Sequence, residues 1–234
     1  MRRDLVALCA GLCLAAQAAP AAQAKDVPAT WDHLVKVDSK KLKAVYLLPG
    51  ADFRPYHKIM LDKPEAAFRK NWLRDYNRNT ARGLSRRLSD ADAEKALETV
   101  SASLQTIFAK AYTDGGYQIV TTPGPDVLRI RTAVIDLHVN APDIMTAGRS
   151  RSYAPEAGSA TLVLEARDSQ TGAVLGRAVD GRLAGDMGGM MMSRSSVSNK
   201  ADFESVFRTW AKASVNGLNV LKSSSSVIPV SNPG

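Results

Sequence analysis

The hydrophobic pattern is clearest between Ser89 and Gly116, where apolar residues recur at alternating spacings of about four and three positions. The stripe consists of Ala93, Leu97, Val100, Leu104, Ile107 or Phe108, and Ala111. Ser89 precedes it as a helix N-cap, acidic residues follow in the first turn, and the pair Gly115-Gly116 ends it. We therefore predict an amphipathic helix with one buried face.

A second helix is predicted from about Asn199 to Leu221. Its apolar and small residues on one side are Phe203, Val206, Phe207, Trp210, Ser214, Gly217, Leu218 and Leu221. Gly217 lowers helix propensity by about 1 kcal/mol relative to alanine. We expect this glycine to permit a close contact between the helix and a sheet.

Between and before these helices, short apolar runs end at turn residues, which predicts β-strands. The predicted strands are residues 43–48, 58–62 with an extension to 68, 117–122, 127–139, 159–167 and 173–183. The sequence Pro123-Gly124-Pro125-Asp126 predicts a turn between two antiparallel strands, and residues 168–172 predict a hairpin loop. Residues 127–139 are apolar on both faces in their later half, which is typical of a central strand.

This order of elements predicts an α+β fold. We expect a mostly antiparallel sheet of about five to six strands, with two amphipathic helices packed on one face. Residues 25–222 are predicted to form a single domain, in which the polar stretch 25–41 is a lead-in that lays Trp31 and Leu34 on the core. The serine-rich end, residues 223–234, is predicted to be a disordered tail.

The first 24 residues have the three parts of a cleavable secretion signal. Arg2 and Arg3 precede an apolar run from Leu5 to Ala16, and Ala22-Gln23-Ala24 supplies a small-residue cleavage site. The run is shorter than the roughly 20 residues that a membrane span needs, and no later segment is long and apolar enough to cross a bilayer. We expect a soluble periplasmic protein that begins at Lys25.

An outer-membrane-attached lipoprotein is the alternative, in which a signal cysteine becomes the lipid-bearing first residue. Leucine precedes both Cys9 and Cys13, whereas lipoprotein processing favours a small residue at that position. These are the two cysteines of the chain. Cleavage after Ala24 therefore removes thiol nucleophiles, thiolate zinc sites and iron–sulfur clusters from the mature protein.

Several turn and strand segments resemble the domain-of-unknown-function 3313 family. They are Tyr46–Phe53, Tyr56–Asp62, Gly116-Tyr117 and Pro123–Arg129. The resemblance covers nearly all of the mature chain and implies a bacterial envelope protein, in a family where many members are lipoproteins. It implies no catalytic residue.

The most prominent surface feature of the sequence is the basic segment, residues 69–87. Basic residues recur every fourth position at Lys70, Arg74, Arg78, Arg82 and Arg86, with Trp72 and Tyr76 one helical turn apart. If the segment is helical, these residues form a positive ridge beside an aromatic pair, which is suited to phosphate or carboxylate groups. The alternative is a solvated loop that the two aromatic residues anchor to the core.

Searches for catalytic and metal-binding patterns give weak candidates. Serine-hydrolase elbows, phosphate-binding loops and paired helical histidines are absent from the sequence. Asp136 and His138 share a strand face and could share a metal. Asp52, Tyr56, His57 and Asp62 cluster after the first strand, where a His-Asp pair is a possible general base, but both sets lack the further groups that the chemistry needs. Met187 and Met190–Met192 suit Cu(I) by ligand type, although a mobile contact loop is the favoured interpretation.

The sequence thus predicts a non-catalytic envelope protein that needs no cofactor or metal. Its net charge of +8 is compatible with anionic partners. The first functional hypothesis is a module that binds a protein partner or maintains the envelope. The alternative is a binder of lipopolysaccharide, anionic phospholipid or acidic glycan through the basic segment. Nucleic acid is not expected as a partner.

Overall fold

The computed structural model describes residues 28–80, 87–140, 152–154, 156–186, 188, 190, 192–194 and 196–224. The strands are β1 (Thr30–Trp31), β2 (Leu34–Val37), β3 (Ala44–Leu47), β4 (Lys58–Leu61), β5 (Glu65–Phe68), β6 (Gln118–Ile119), β7 (Val127–Val139), β8 (Ser152–Ala154), β9 (Gly158–Asp168), β10 (Val174–Ala184) and β11 (Met192–Arg194). The helices are α1 (Trp72–Thr80), α2 (Asp90–Asp114) and α3 (Ser196–Ser223). The predicted signal segment and most of the predicted tail lie outside the described residues.

Nine of the described strands form one mixed sheet in the order β1-β2-β3-β10-β9-β7-β4-β6, with β5 also paired to β7. The pairs from β1 through β7 are antiparallel. In contrast, β4 and β5 both run parallel to β7, and β6 runs parallel to β4. The predicted sheet of about five to six mostly antiparallel strands is therefore wrong, and so is the count of two helices.

The parallel part of the sheet follows from the position of α2 in the chain. Parallel strands need a long crossover connection, which is usually a helix, and α2 lies between β5 and β7. The turn at residues 123–126 therefore does not join an antiparallel pair as predicted. It leads across the end of β4, which lies between β6 and β7 and runs parallel to both.

The polar lead-in contains a hairpin that the sequence pattern does not reveal. β1 and β2 pair across Asp32 and His33, which both have positive φ angles, 48° and 66°. Such angles at both loop positions are typical of the tight turn that suits the twist of a hairpin, but asparagine and glycine are the usual signals for it. Asp32-His33 gives no such signal, which explains the omission.

Several local predictions are confirmed. β7 spans the predicted residues, β9 and β10 form the predicted hairpin, and β7 is a central strand. Ser89 caps α2, since its hydroxyl accepts a hydrogen bond from the Asp92 amide while the Asp92 carboxylate accepts one from the Ser89 amide. This reciprocal arrangement satisfies two amides that the first helical turn leaves unpaired.

The core lies between one face of the sheet and the helices α2 and α3. Alternate residues of β9 are buried on that face, as the strand period of two requires. Its largest completely buried side chains include Phe108, Tyr112, Phe207 and Trp210 from the helices and Leu162 from β9. The helices touch closely at Gly115, where a Cβ atom would lie 2.6 Å from Cγ1 of Val215.

A buried carboxylate connects α3 to the sheet. Asp180 of β10 accepts a hydrogen bond from the indole Nε1 of Trp210 at 2.8 Å. It also accepts one from the Lys43 backbone amide at 2.9 Å and one from the Arg182 guanidinium at 2.7 Å. Asp180 is 6% exposed and Trp210 is fully buried. The contact therefore fixes the helix over β3 and β10.

We expect Trp210→Phe to lower the free energy of unfolding by about 2 kcal/mol, because it removes a hydrogen bond to a buried charged group. Urea unfolding measures this loss. A double-mutant cycle with Asp180→Asn separates the hydrogen bond from the smaller ring. Strictly additive effects of the two substitutions would contradict a coupling between these side chains.

Candidate ligand-binding groove

A groove of about 500 Å³ lies between α3 and the sheet. Its floor is formed by Val45 and Leu47 of β3, Leu128 and Ile130 of β7, Leu164 and Ala166 of β9, and Gly176 and Ala178 of β10. One wall is the second half of α3, from Ala213 to Leu221, and the other is the β2–β3 connection, residues 38–42. Its volume lies within the range of roughly 300–1,000 Å³ that is typical of small-molecule sites.

Small residues on both sides leave this space open. Ala178 on β10 and Gly217 on α3 contribute little or no side-chain volume to the groove, whereas Gly176 packs against Leu47, whose Cδ2 would lie 2.9 Å from a Cβ atom at that position. A Cβ atom at Gly217 would have no atom within 4 Å apart from those of its chain neighbours and of the local helix backbone. The expected close contact between Gly217 and the sheet is therefore wrong, since this glycine borders an opening instead.

The buried polar groups of the groove pair with each other. The hydroxyls of Tyr112 and Ser214 form a hydrogen bond between α2 and α3. Burial raises the pKa of Tyr112 above its ordinary value, so the phenol stays protonated at neutral pH. Arg177 borders the groove, but its guanidinium lies on the opposite face of the sheet, where it pairs with Asp32 and Glu165 and lies over the Trp31 ring. These groups therefore offer a ligand little beyond apolar contact.

We define the mouth of the groove by its exposed lining residues, Asp38, Ser39, Lys40, Lys41, Asn216, Gly217 and Val220. Three of these residues are charged: Asp38, Lys40 and Lys41. The Ser39 hydroxyl accepts hydrogen bonds from the amides of Lys41 and Leu42, and the Lys41 carbonyl accepts one from Arg182. The backbone of this basic turn is thus fixed beside the apolar interior. Val220, 62% exposed, adds an apolar lip.

The basic segment is only partly described. α1 begins at Trp72 and carries Arg74 and Arg78, whereas Lys70 precedes the helix, and Arg82 and Arg86 lie outside the described residues. Asp75 forms ion pairs with Arg74 at 3.3 Å and with Arg78 at 3.0 Å. The carboxylate thus offsets part of the positive charge on this surface.

The aromatic pair of the basic segment is turned towards the core. Trp72 is 5% exposed and stacks on Phe68, with ring centroids 3.9 Å apart. Tyr76 also stacks on Trp72, with ring centroids 5.7 Å apart. The indole Nε1 donates a hydrogen bond to the carbonyl of Val139. These contacts anchor α1 to β5 and β7 and leave Trp72 little surface for a ligand.

The structure keeps the histidine candidates apart. His57 precedes β4, whose first residue Lys58 pairs with Val127, whereas His138 lies eleven residues further along β7. This separation is roughly 36 Å at about 3.3 Å per strand residue. Burial, followed by the charge of Arg69, lowers the pKa of His138. No site that unites the two histidines exists in the described structure.

The remaining candidates are also dispersed. Asp136 lies in an irregularity of β7 with a positive φ angle of 51°, and Asp52 and Asp62 form ion pairs with Arg54 and Arg129. Within the described residues, no group of three or more His, Cys, Asp or Glu side chains is placed to bind a metal. Met187 and Met191 lie outside the described residues, and Met190 is 62% exposed.

The open face of the sheet, opposite α2 and α3, carries an ion-pair network. Glu165 pairs with Arg167 at 2.6 Å and with Arg177 at 2.7 Å. Burial by itself would raise the pKa of Glu165, but these two hydrogen bonds outweigh it and hold the pKa below its ordinary value. Arg131 and Asp62 extend the network. Its charges satisfy each other, so we assign no ligand to it.

The model of one protein family matches residues 24–214, and its description is "Protein of unknown function (DUF3313)". The chain belongs to the DUF3313 family. This confirms the resemblance found in the sequence. No curated protein matches the chain.

Three solved structures are similar to this DUF3313 chain. The PelC dodecamer from Paraburkholderia phytofirmans is 14% identical, with a TM-score of 0.37 and coverage of 77% of this chain and 97% of PelC. The protein XCC0632 from Xanthomonas campestris, of the DUF330 family, is 15% identical, with a TM-score of 0.39 and coverage of 74% and 90%. A putative neuraminyllactose-binding hemagglutinin homolog from Helicobacter pylori is 10% identical, with a TM-score of 0.29 and coverage of 72% and 89%. Similarities at this level support no conclusion about function.

Among the described residues of the DUF3313 chain, no helix has the length and apolarity to cross a membrane. The groove itself was not predicted from sequence. Its residues come from seven separate helices and strands and from the loops between them, and the one local signal that we noted was Gly217, which we interpreted as a contact point.

The role of the basic segment stays a prediction, and substitution tests it. If it binds polyanions, changing Arg74, Arg78 and Arg82 together to glutamine weakens binding to lipopolysaccharide and reduces its dependence on salt. Titration of the anion at two ionic strengths measures both effects. Unchanged affinity would remove the hypothesis.

Proposed function

We propose that this protein is an exported, non-catalytic binding module of the bacterial cell envelope, and that its ligand is a molecule with an extended apolar part that occupies the groove. The observation that carries this proposal is the open apolar space of about 500 Å³ between α3 and the sheet. Family membership is compatible with the proposal but does not define a ligand. Binding of a protein partner, the first hypothesis from sequence, stays a prediction.

The energetic argument concerns the apolar lining of the groove. Protein interiors are normally packed with few voids larger than a water molecule. Each Å² of apolar surface removed from water contributes about 25 cal/mol. A ligand that fills the groove and covers its apolar lining therefore gains affinity without new hydrogen bonds, since the buried Tyr112 and Ser214 hydroxyls already bond to each other.

Export rests on the signal-like segment, residues 1–24. Its two cysteines are not needed by the described fold, whose core consists of apolar and aromatic side chains. The absence of a catalytic role rests on the dispersal of the histidine and carboxylate candidates in the described structure. A binding module is the function that these observations support best.

Gly217→Leu is expected to block the groove. The leucine side chain projects into the space where the glycine has no neighbour, so the affinity for the neutral fluorescent probe N-phenylnaphthylamine falls by about tenfold or more. Probe fluorescence during titration measures the change. Loss of binding is not explained by unfolding, because replacing a helical glycine by leucine raises helix propensity.

Gly217→Ala is the matched control. It gives a similar gain in helix propensity, about 1 kcal/mol, but adds a single methyl group, so we expect binding close to that of the unchanged protein. A second control ends the chain at Ser224. If removing residues 225–234 strengthened probe binding, the chain's own tail would compete for the groove. Equal probe affinity for Gly217→Leu and the unchanged protein would refute the proposed site.

The mature protein is expected to begin at Lys25 without lipid. Mass spectrometry of the protein purified from its native envelope determines the first residue and any modification. A lipid on Cys9 or Cys13 would show that the protein is tethered to a membrane, and retention of residues 1–24 without lipid would contradict cleavage.

A further inference from the structure

We infer that the groove binds a single acyl chain with an anionic headgroup, which places the chain along the sheet and the headgroup at Lys40 and Lys41. This inference rests on the proposed function because it concerns the same groove. It adds the chemical class and the orientation of the ligand.

The interior of the groove favours an unbranched hydrocarbon over a polar ligand. Buried donors and acceptors that lose water need replacement partners, and a polar ligand would have to find them in the lining. The Tyr112 and Ser214 hydroxyls bond to each other, and the Arg177 guanidinium pairs with two carboxylates on the opposite face of the sheet. A hydrocarbon chain makes no such demand, and it gains free energy with each methylene that it buries.

The mouth supplies the charge that an anionic headgroup requires. Lys40 and Lys41 are both exposed in the β2–β3 connection, and neither forms an ion pair with a described residue. The hydrogen bonds of Ser39 and Arg182 fix the backbone from which they project. Asp38 is the acidic residue of the mouth and opposes them, so the lysines outnumber it.

Fatty acids test the chain and the headgroup separately. We expect affinity to rise by about fourfold per added methylene along the series octanoate, decanoate, laurate and myristate, until the groove is filled. Each acid is compared with the alcohol of the same length. At low salt, myristate should bind more tightly than myristyl alcohol, and added salt should reduce this difference.

Substitutions at the mouth test the orientation. Changing Lys40 and Lys41 together to glutamine should weaken myristate binding by about two- to thirtyfold, the range for two exposed ion pairs, and leave the alcohol unchanged. Asp38→Asn should strengthen myristate binding. The matched control changes Lys63 and Lys95 to glutamine, since these exposed lysines lie outside the groove lining and their loss alters net charge equally.

The outcomes separate this inference from the proposed function. If neither acids nor alcohols bind, and Gly217→Leu changes nothing, both are wrong. If acids and alcohols of equal length bind equally, and the mouth substitutions have no effect, the groove holds an apolar ligand and only the anionic headgroup is refuted. If the control lysines matter as much as Lys40 and Lys41, general electrostatic attraction explains the preference and the assigned orientation is wrong.

Discussion

The buried carboxylate of Asp180 determines where α3 lies on the sheet. It accepts hydrogen bonds from the Trp210 indole of the helix, from the backbone amide of Lys43, which directly precedes β3, and from Arg182 of its own strand. Removing one partner of a buried charge is costly, so the helix cannot slide without leaving this carboxylate poorly satisfied. The same helix forms one wall of the groove, and β3 and β10 form part of its floor. The width of the groove therefore depends on a contact outside it.

Gly217 shows how stability and binding oppose each other in α3. A glycine inside a helix costs about 1 kcal/mol relative to alanine, and here no packed side chain or strand requires a residue without a Cβ atom. The sequence reveals the cost but not its reason, because the open space beside Gly217 exists only when residues 38–42 and four strands come together. Such a residue is expected where a binding space is maintained at the expense of stability.

The features of the fold that depend on local sequence were predictable. The capping box at Ser89 and the loop at residues 168–172 involve neighbours in the chain, and both are present. The side-by-side order of the strands depends on distant pairing and was not predictable from periodicity alone. The parallel pairing of β5 with β7 could have been inferred from the helix α2 that lies between them in the chain, because a crossover helix favours parallel pairing. The basic spacing of residues 70–86 likewise did not reveal that Trp72 is buried against Phe68.

The two ends of the large sheet limit the pairing of this protein with other chains. The strands at the two ends of the sheet, β1 and β6, contain two residues each. Strand β5, which pairs with the same side of β7 as β4, contains four residues. An unpaired strand edge is a template on which another chain can add a strand, and a very short edge offers few backbone groups for this. The long strands β7 and β9 lie inside the sheet, and β3 pairs with β10 along residues 176–179. Strand order thus places short strands at both ends of the sheet, where few backbone groups are offered for intermolecular β-pairing.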